Sequence, residues 1–381
     1  MPELESQHRA GAVAISVELG SNRIASLDAM RGLAVAGMIL VNNPGSWTDS
    51  YGFLVHSSWN GWTLADLLFP FFVLIVGVSI DLSLSRRLAG TTERRALLPG
   101  LARRAMLLIA LGVLLNGFPD YSQLSTLRFF GVLQRIGLCY FIGGALFLAT
   151  GALGQLLAAA VLLVGYWLAM TGVGAGTLSP EGNLAGYVDD WLFHGHLYRD
   201  GFDPEGLLST LPAVATTLLG MLAGRWLRSG VDARRKTIGL LVGGAALVFV
   251  GEIADAWFPI NKQLWTSSFV LLSGGFGFVT LATCYELVDR RSWSRVAAPL
   301  VMLGSNALTV YLLSSLGARL MELCQVPTGV TCESLRLFVY EHLFEPWAGA
   351  LRGSLLFAMA YLLVWMIPTA QLYRRGMFLR V

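Results

Sequence analysis

Nine stretches of the chain contain no Asp, Glu, Lys or Arg: residues 32–48, 67–80, 105–119, 136–180, 206–224, 237–251, 263–285, 296–318 and 353–373. A full charge at the centre of a bilayer helix costs about 2.5 to 3.5 kcal/mol on insertion scales, whereas apolar neighbours insert favourably. Stretches cleared of charge in this way predict membrane spans, each needing about 20 residues including its flanks. The 45 residues from Ile136 to Pro180 suffice for two crossings joined by a tight turn at residues 150–154. The expected fold is therefore all-α, a polytopic integral membrane protein of about ten transmembrane helices. Only 13% of the residues are charged, against about a quarter in soluble domains. The surviving charges are expected at span ends or in working sites.

Threading the spans alternately puts 20 of the 27 Lys and Arg residues on one face and 6 on the other, with Arg135 inside a span. Cytoplasmic loops retain an excess of positive charge, so the richer face, which holds both termini, is predicted to be cytoplasmic. Residues 1–24 are polar and lack the apolar core and small-residue cleavage site of a secretory signal. They read as a cytoplasmic tail, followed by a single transmembrane domain over 25–381. A net charge of +3 and the lack of a basic tract interleaved with aromatics exclude nucleic acid as a partner and leave the lipid bilayer.

Three external loops follow, residues 43–62, 172–205 and 317–352, rich in Gly, Pro, Trp and acidic side chains. Ordered loops of this composition suit a polar ligand, so the chemistry is expected to open outward. Cys139 and Cys284 fall in spans as small packing residues. Cys324 and Cys332 share the last external loop, where an oxidising compartment leaves a disulfide between them open. The chain holds no Cys-x-x-Cys or His-x-x-x-His pattern, and no metal is expected.

The segment from Ser26 to Ile80 carries the densest chemistry. Asp28 and Arg31 share a helix face three residues apart, as a helix-end ion pair or as a holder of an anionic ligand. Asn42 and Asn43 precede the helix-breaking Pro44 and Gly45, either as caps or as functional amides. His56, Trp59, Asn60 and Trp62 follow, with Asp66 one turn into the second span. An imidazole, amides, flat rings and a carboxylate at one membrane edge are what acyl transfer to a sugar amine requires: a base, donors to a developing oxyanion and stacking surfaces. Among the five histidines, only His56 has such company.

This segment resembles the heparan-alpha-glucosaminide N-acetyltransferase family, including its bacterial NagX-type members. The marks are an LDxxRGL start, a VNN-P-G turn and H-xx-WNGWTxxDLxFPFFxFIxG. They continue with RFFGVLQRIGLCY at Arg128 to Tyr140, FDPEGLLSTLPA at Phe202 to Ala213, NKQLWTSSFVL at Asn261 to Leu271 and LGSNALTVYLL at Leu303 to Leu313. The likeness covers residues 24–375.

The resemblance implies a multispan acetyltransferase that takes cytoplasmic acetyl-CoA and modifies a glucosamine-type sugar on the far, periplasmic side of a bacterial inner membrane, as a homodimer. The animal lysosomal members have a large luminal domain and a preceding span not seen here, so heparan sulfate is not the expected acceptor. The family's catalytic histidine falls on His56 and its asparagine on Asn42, with Asp66 completing the catalytic set. Asn43, Trp59, Asn60, Trp62, Asn261, Lys262 and Trp265 are expected to bind the sugar. Lys262 and Trp265 could equally be interfacial anchors.

For the acetyl-CoA, Arg31, Arg128, Gln134, Arg135, Ser267 and Asn306 are the candidates. Arg135 is a charge inside a span and needs a partner, for which Asp66, Glu252 and the CoA pyrophosphate are candidates; a plain ion pair between helices is the alternative. Asn306 sits among small residues, where a helix–helix hydrogen bond and a pantetheine contact are both open. Two rival functions share these features: a carrier for an amino sugar or muropeptide, and an O-acetyltransferase of a surface glycan.

Overall fold

The computed structural model describes residues 24–90, 93–122, 124–172, 177–328 and 331–378. The expected tail lies outside the described residues, Ile24 excepted. Each of the nine uncharged stretches contributes at least one helix. In chain order the long helices are α1 (Ala25–Asn42), α2 (Leu64–Leu88), α3 (Leu98–Gly117), α4 (Val132–Ala149) and α5 (Ala152–Gly172), so that α4 and α5 meet at the expected tight turn. The short α6 (Leu184–Phe193) leads into α7 (Leu207–Arg228), α8 (Ala233–Ala254) and α9 (Ser267–Cys284), which continues as a π-helical turn over Tyr285–Arg290. Then come α10 (Ser294–Ser305), α11 (Ala307–Leu323) and a small hairpin of β1 (Gln325–Thr328) and β2 (Thr331–Ser334). The short α12 (Leu335–Leu343) and α13 (Glu345–Ala348) precede α14 (Ala350–Arg374).

Among the described residues, nine helices are long and apolar enough to cross a membrane, and α10 with α11, bent by 72° at their junction, makes a tenth if the pair is one span. The bend was not expected, because the uncharged window 296–318 runs straight through it. Its corner is Asn306, buried, with a non-helical backbone that ends α10 and starts α11.

The helices form two layers. The spans of α1, α2 and α7 are 72%, 67% and 78% buried, whereas α3, α5 and α8 are each 22% buried and present their apolar flanks outward. Lipid tails are as apolar as leucine, so close backbone approach must hold the inner layer, and small residues permit it. A Cβ on Gly77 of α2 would lie 1.9 Å from the Thr217 carbonyl oxygen of α7, and one on Gly304 of α10 would lie 1.7 Å from that of Asp28 in α1. Both positions admit only glycine. The start of α1 is capped from elsewhere: the Asp289 carboxylate accepts from the backbone N–H of Ala25 at 3.1 Å and of Ser26 at 3.3 Å.

The hairpin decides the disulfide question. Gln325 pairs with Ser334 and Pro327 with Cys332, so Cys324 and Cys332 are offset by three positions along the ladder. At about 3.4 Å per residue that is roughly 10 Å, beyond the reach of a disulfide. Both thiols are free and exposed, which corrects the disulfide reading.

Candidate active site

The loop after α1 is shaped by its own polar residues. Asn43 folds back so that its Nδ2 donates to the Ile39 carbonyl at 2.7 Å, capping α1. Arg336 of α12 donates to the carbonyls of Pro44 and Gly45, at 3.2 and 2.6 Å, and fixes the turn. The chain then runs to Thr63 and Asp66 at the start of α2. Oδ2 of Asp66 accepts from the backbone N–H of Thr63 at 3.0 Å, that of Ser57 at 3.1 Å and the Thr63 hydroxyl at 3.2 Å. These bonds occupy orphan donors of a helix start. Oδ1 is left free to face His56, whose Nδ1 lies 2.8 Å away. Asp66 is 1% exposed while the His56 side chain keeps 44% of its surface open.

A second loop, between α8 and α9, closes on the first. Gly61 donates its N–H to the Ile260 carbonyl at 2.8 Å, Asn261 Nδ2 donates to Asn60 Oδ1 at 3.1 Å, and Gln263 Nε2 donates to the Ser58 carbonyl at 2.9 Å. This clasp brings Lys262 Nζ to 3.3 Å from Asp66 Oδ1 and 3.0 Å from His56 Nδ1. Burial pulls the Lys262 amine below the usual lysine range, against the opposing pull of Asp66 and Glu205. The turn finishes at Trp265, whose φ of +52° is the left-handed conformation a bulky residue rarely adopts. Its indole, 1% exposed, donates to Thr216 Oγ1 at 3.2 Å.

Arg135 lies above that ring, its guanidinium carbon 5.0 Å from the centroid. It also donates to Ser209 Oγ and to the Gly206 carbonyl at 3.3 Å, while its Nε and Nη1 have no hydrogen-bond partner among the described residues. Neither Asp66 nor Glu252 pairs with it; Glu252 is exposed on α8. Arg128 is held differently. Its Nε and Nη2 grip Asp203 at 2.8 and 2.7 Å, and Nη2 also reaches Glu205. Burial alone would lower its pKa, but the two carboxylates outweigh burial and raise it.

These groups surround a cavity of about 460 Å³ lined by His56, Asp66, Arg128, Glu205, Lys262 and Trp265 among others. Arg128 and Val132 also line a second cavity of about 280 Å³ between α1, α3, α4 and α11, with Asn42, Asn43, Gln134, Tyr311 and Arg319 in its wall. Gln134 Nε2 is buried there without a hydrogen-bond partner among the described residues. A third cavity, about 190 Å³, is lined by the same four helices together with α2, and by Arg31, Ser79, Arg104, Tyr140 and Leu308. From the second cavity to the third the lining moves about one turn along three helices, from Gly112 to Leu108, Leu133 to Ile136 and Tyr311 to Leu308. Arg31 donates to Asp28 Oδ1 at 2.7 Å and to Ser79 Oγ.

Several expected site residues are engaged elsewhere. Trp59 donates to the Leu178 carbonyl at 2.7 Å and packs edge-on against Phe202, and Trp62 packs on Phe276. Ser267 donates to the Leu163 carbonyl, and Asn306 sits at the α10–α11 corner, its Oδ1 without a hydrogen-bond partner among the described residues. Residues not anticipated include Asp203, Glu205 and Asp189. Buried Asp189 accepts from the Leu207 N–H at 2.8 Å, and burial pushes its pKa up to about 7. The FDPEG sequence before α7 was the available signal for Asp203 and Glu205. Among the described residues no group of three or more His, Cys, Asp and Glu is placed to hold a metal.

The chain matches the family model for the heparan-alpha-glucosaminide N-acetyltransferase catalytic region over residues 23–254. It is 32% identical over 356 residues to the human protein named heparan-alpha-glucosaminide N-acetyltransferase, covering 76% of this chain and 52% of that protein. Against the mouse protein of the same name it is 31% identical over 354 residues, 76% of this chain and 53% of the relative. The chain thus spans about half the length of the curated relatives it matches. With the family model covering more than half of its length, the chain belongs to the heparan-alpha-glucosaminide N-acetyltransferase catalytic family.

Proposed function

We propose that the protein transfers the acetyl group of acetyl-CoA to the amine of a glucosamine-type sugar, with donor and acceptor entering from opposite ends of the bundle. The observation that carries this reading is the line of three cavities from Arg31 and Arg104, between α1, α3, α4 and α11, to the His56–Asp66 pair. A pantetheine arm carries amides, and an amide exposed to lipid costs several kcal/mol, so a protein-lined polar path is what such a donor needs. The unpartnered Gln134 Nε2 offers a donor along that path, and Arg31 and Arg104 offer cationic charge at its far end.

In this reading His56 is the general base. Asp66 fixes the ring through Nδ1 and stabilises the imidazolium as it forms, leaving Nε2 to act. The sugar nitrogen attacks the thioester carbonyl carbon, the nitrogen's proton passes to Nε2, and the carbon–sulfur bond breaks. The imidazolium then returns the proton to the thiolate, giving the N-acetyl sugar and the CoA thiol. Asn42 lies in the neighbouring cavity, on the donor's side of this reaction.

The arginine asymmetry supports donor entry from the cytoplasm and both termini on that side, in a bacterial inner membrane. A homodimer with one transmembrane acyltransferase domain per protomer completes the proposal. Turnover of acetyl-CoA by purified protein with a panel of amino sugars, parent against His56→Ala, tests it: the variant is expected to lose at least about 100-fold. A line of cavities also suits a carrier, and glucosamine uptake into proteoliposomes without acetyl-CoA would replace the enzyme by that reading. An alkali-stable product distinguishes the amide from an O-acetyl ester.

A further inference from the structure

His56 Nδ1 has two suitors. It lies 2.8 Å from Asp66 Oδ1 and 3.0 Å from Lys262 Nζ, and the two cannot be satisfied by one protonation state. Nδ1 donates to the carboxylate only if it carries a hydrogen, and accepts from an ammonium only if it does not. A neutral imidazole has a single N–H, so the choice at Nδ1 dictates the state of Nε2. Asp66 cannot resolve the competition with its other oxygen, because Oδ2 is taken by Ser57 and Thr63. Nε2 has Lys262 Nζ, at 3.4 Å, as its one polar neighbour within hydrogen-bonding range among the described residues.

We propose that Lys262 is a positioning residue that sets which nitrogen of His56 is free. Its ammonium, donating to Nδ1, leaves the ring's hydrogen on Nε2 and the ring unable to accept a proton from the sugar amine. Its neutral amine lets Nδ1–H turn to Asp66 and leaves Nε2 bare. This rests on the reading of His56 as the base.

The surroundings suit such an exchange. Lys262 is one of only two lysines in the chain, its side chain is 19% exposed, and the Asn60–Asn261 and Gly61–Ile260 clasp holds its backbone against the histidine loop. The charged groups facing it are Asp66 and His56 from α2 and its leading loop, Glu205 before α7, Arg128 before α4 and Arg199 in the loop after α6. The two carboxylates favour the ammonium. Arg128 is already neutralised by Asp203 and Glu205, so burial is the main force against the ammonium. The blocked form is therefore the one present at lower pH, and activity rises as the amine loses its proton.

The test reads the ring directly. Full-length protein labelled with ¹⁵N-histidine, in detergent or nanodiscs, is followed across roughly pH 6 to 10, spanning the histidine and lysine ranges; His56 is assigned by its loss in His56→Ala. In the parent, the hydrogen is expected to move from Nε2 to Nδ1 as pH rises. In Lys262→Met it should sit on Nδ1 whenever the ring is neutral, and in Lys262→Arg, whose charge is permanent, on Nε2. Lys262→Gln, neutral and polar, is expected to behave like the methionine variant and serves if that variant does not fold.

In parallel, the rising limb of kcat/KM should move about one pH unit towards acid in Lys262→Met. It should vanish in Lys262→Arg, whose turnover falls at least tenfold. The same tautomer in all variants, or arginine rescuing what methionine loses, overturns the proposal. Parent-like turnover in His56→Ala overturns instead the reading of His56 as base.

Discussion

The two ends of the cavity line treat charge in opposite ways. At the end bearing His56, the basic groups belong to loops and are tied across long stretches of sequence: Arg128 to Asp203 and Glu205, Lys262 to Asp66. The carboxylates are enclosed at both ends, Asp66 and Asp203 here and Asp28 and Asp81 there each at most 1% exposed. At the Arg31 end the arginines ride on helices and stay partly wet. Arg31 pairs with Asp28 on its own face, and Arg228, with 43% of its side chain exposed, reaches Asp81 from the adjacent helix. Enclosed charges held by several elements can orient a reacting atom. Arginines carried on single helices can greet a mobile anionic ligand without fixing it.

The sharpest way to break that contrast is to neutralise one group at each end. Asp66→Asn should lower acetyl turnover at least about 100-fold while leaving the KM for acetyl-CoA within a few-fold of the parent's. Arg31→Ala should do the reverse, raising the KM for acetyl-CoA with kcat largely kept. Steady-state kinetics on both variants decides it, and a collapse of kcat in Arg31→Ala would erase the distinction.

Stability gives the next largest effect. Asp203→Ala leaves a mostly buried guanidinium with Glu205 alone and should cost about 2 kcal/mol, seen as a lowered thermal midpoint in detergent. Arg235→Ala, whose partner Asp232 is itself 56% exposed at the start of α8, should cost no more than about 1 kcal/mol. Equal shifts would mean that burial is not what separates the two pairs. The smallest effect belongs to the hairpin beyond both. Cys332→Ser should change the midpoint by less than about 0.5 kcal/mol equivalent, and both Cys324 and Cys332 should take up a maleimide without prior reduction.

What could be read in the sequence was whatever acts over one helix length. Charge-free windows located the nine candidate spans and the bent pair because hydrophobic thickness is a local constraint, and the turn between α4 and α5 followed from counting residues. The pairing of Asp66 with the start of α2 was likewise within reach, since Thr63 and Asp66 stand three apart in a capping box. The bend at Asn306 was hidden because a break made by Gly304, Ser305 and Asn306 removes no hydrophobicity.

Partners of the buried arginines were beyond reach for another reason. Arg135 was expected to seek a carboxylate, but the fold offers it an indole face, a hydroxyl and a backbone carbonyl, all supplied by segments at least 71 residues away. The contacts of the tryptophans were equally out of reach: Trp59 and Trp62 read as stacking surfaces for a sugar, and the fold also packs them against Phe202 and Phe276. The approach of Lys262 to His56 joins residues 206 positions apart and exists only once two loops have clasped.

One carboxylate serves two masters. Because the same side chain that orients the imidazole also ties down the first turn of α2, fraying of that turn and misalignment of the ring are a single event. Gentle warming should therefore silence the protein before the bundle melts, with turnover acting as a local thermometer for a few residues at one helix end.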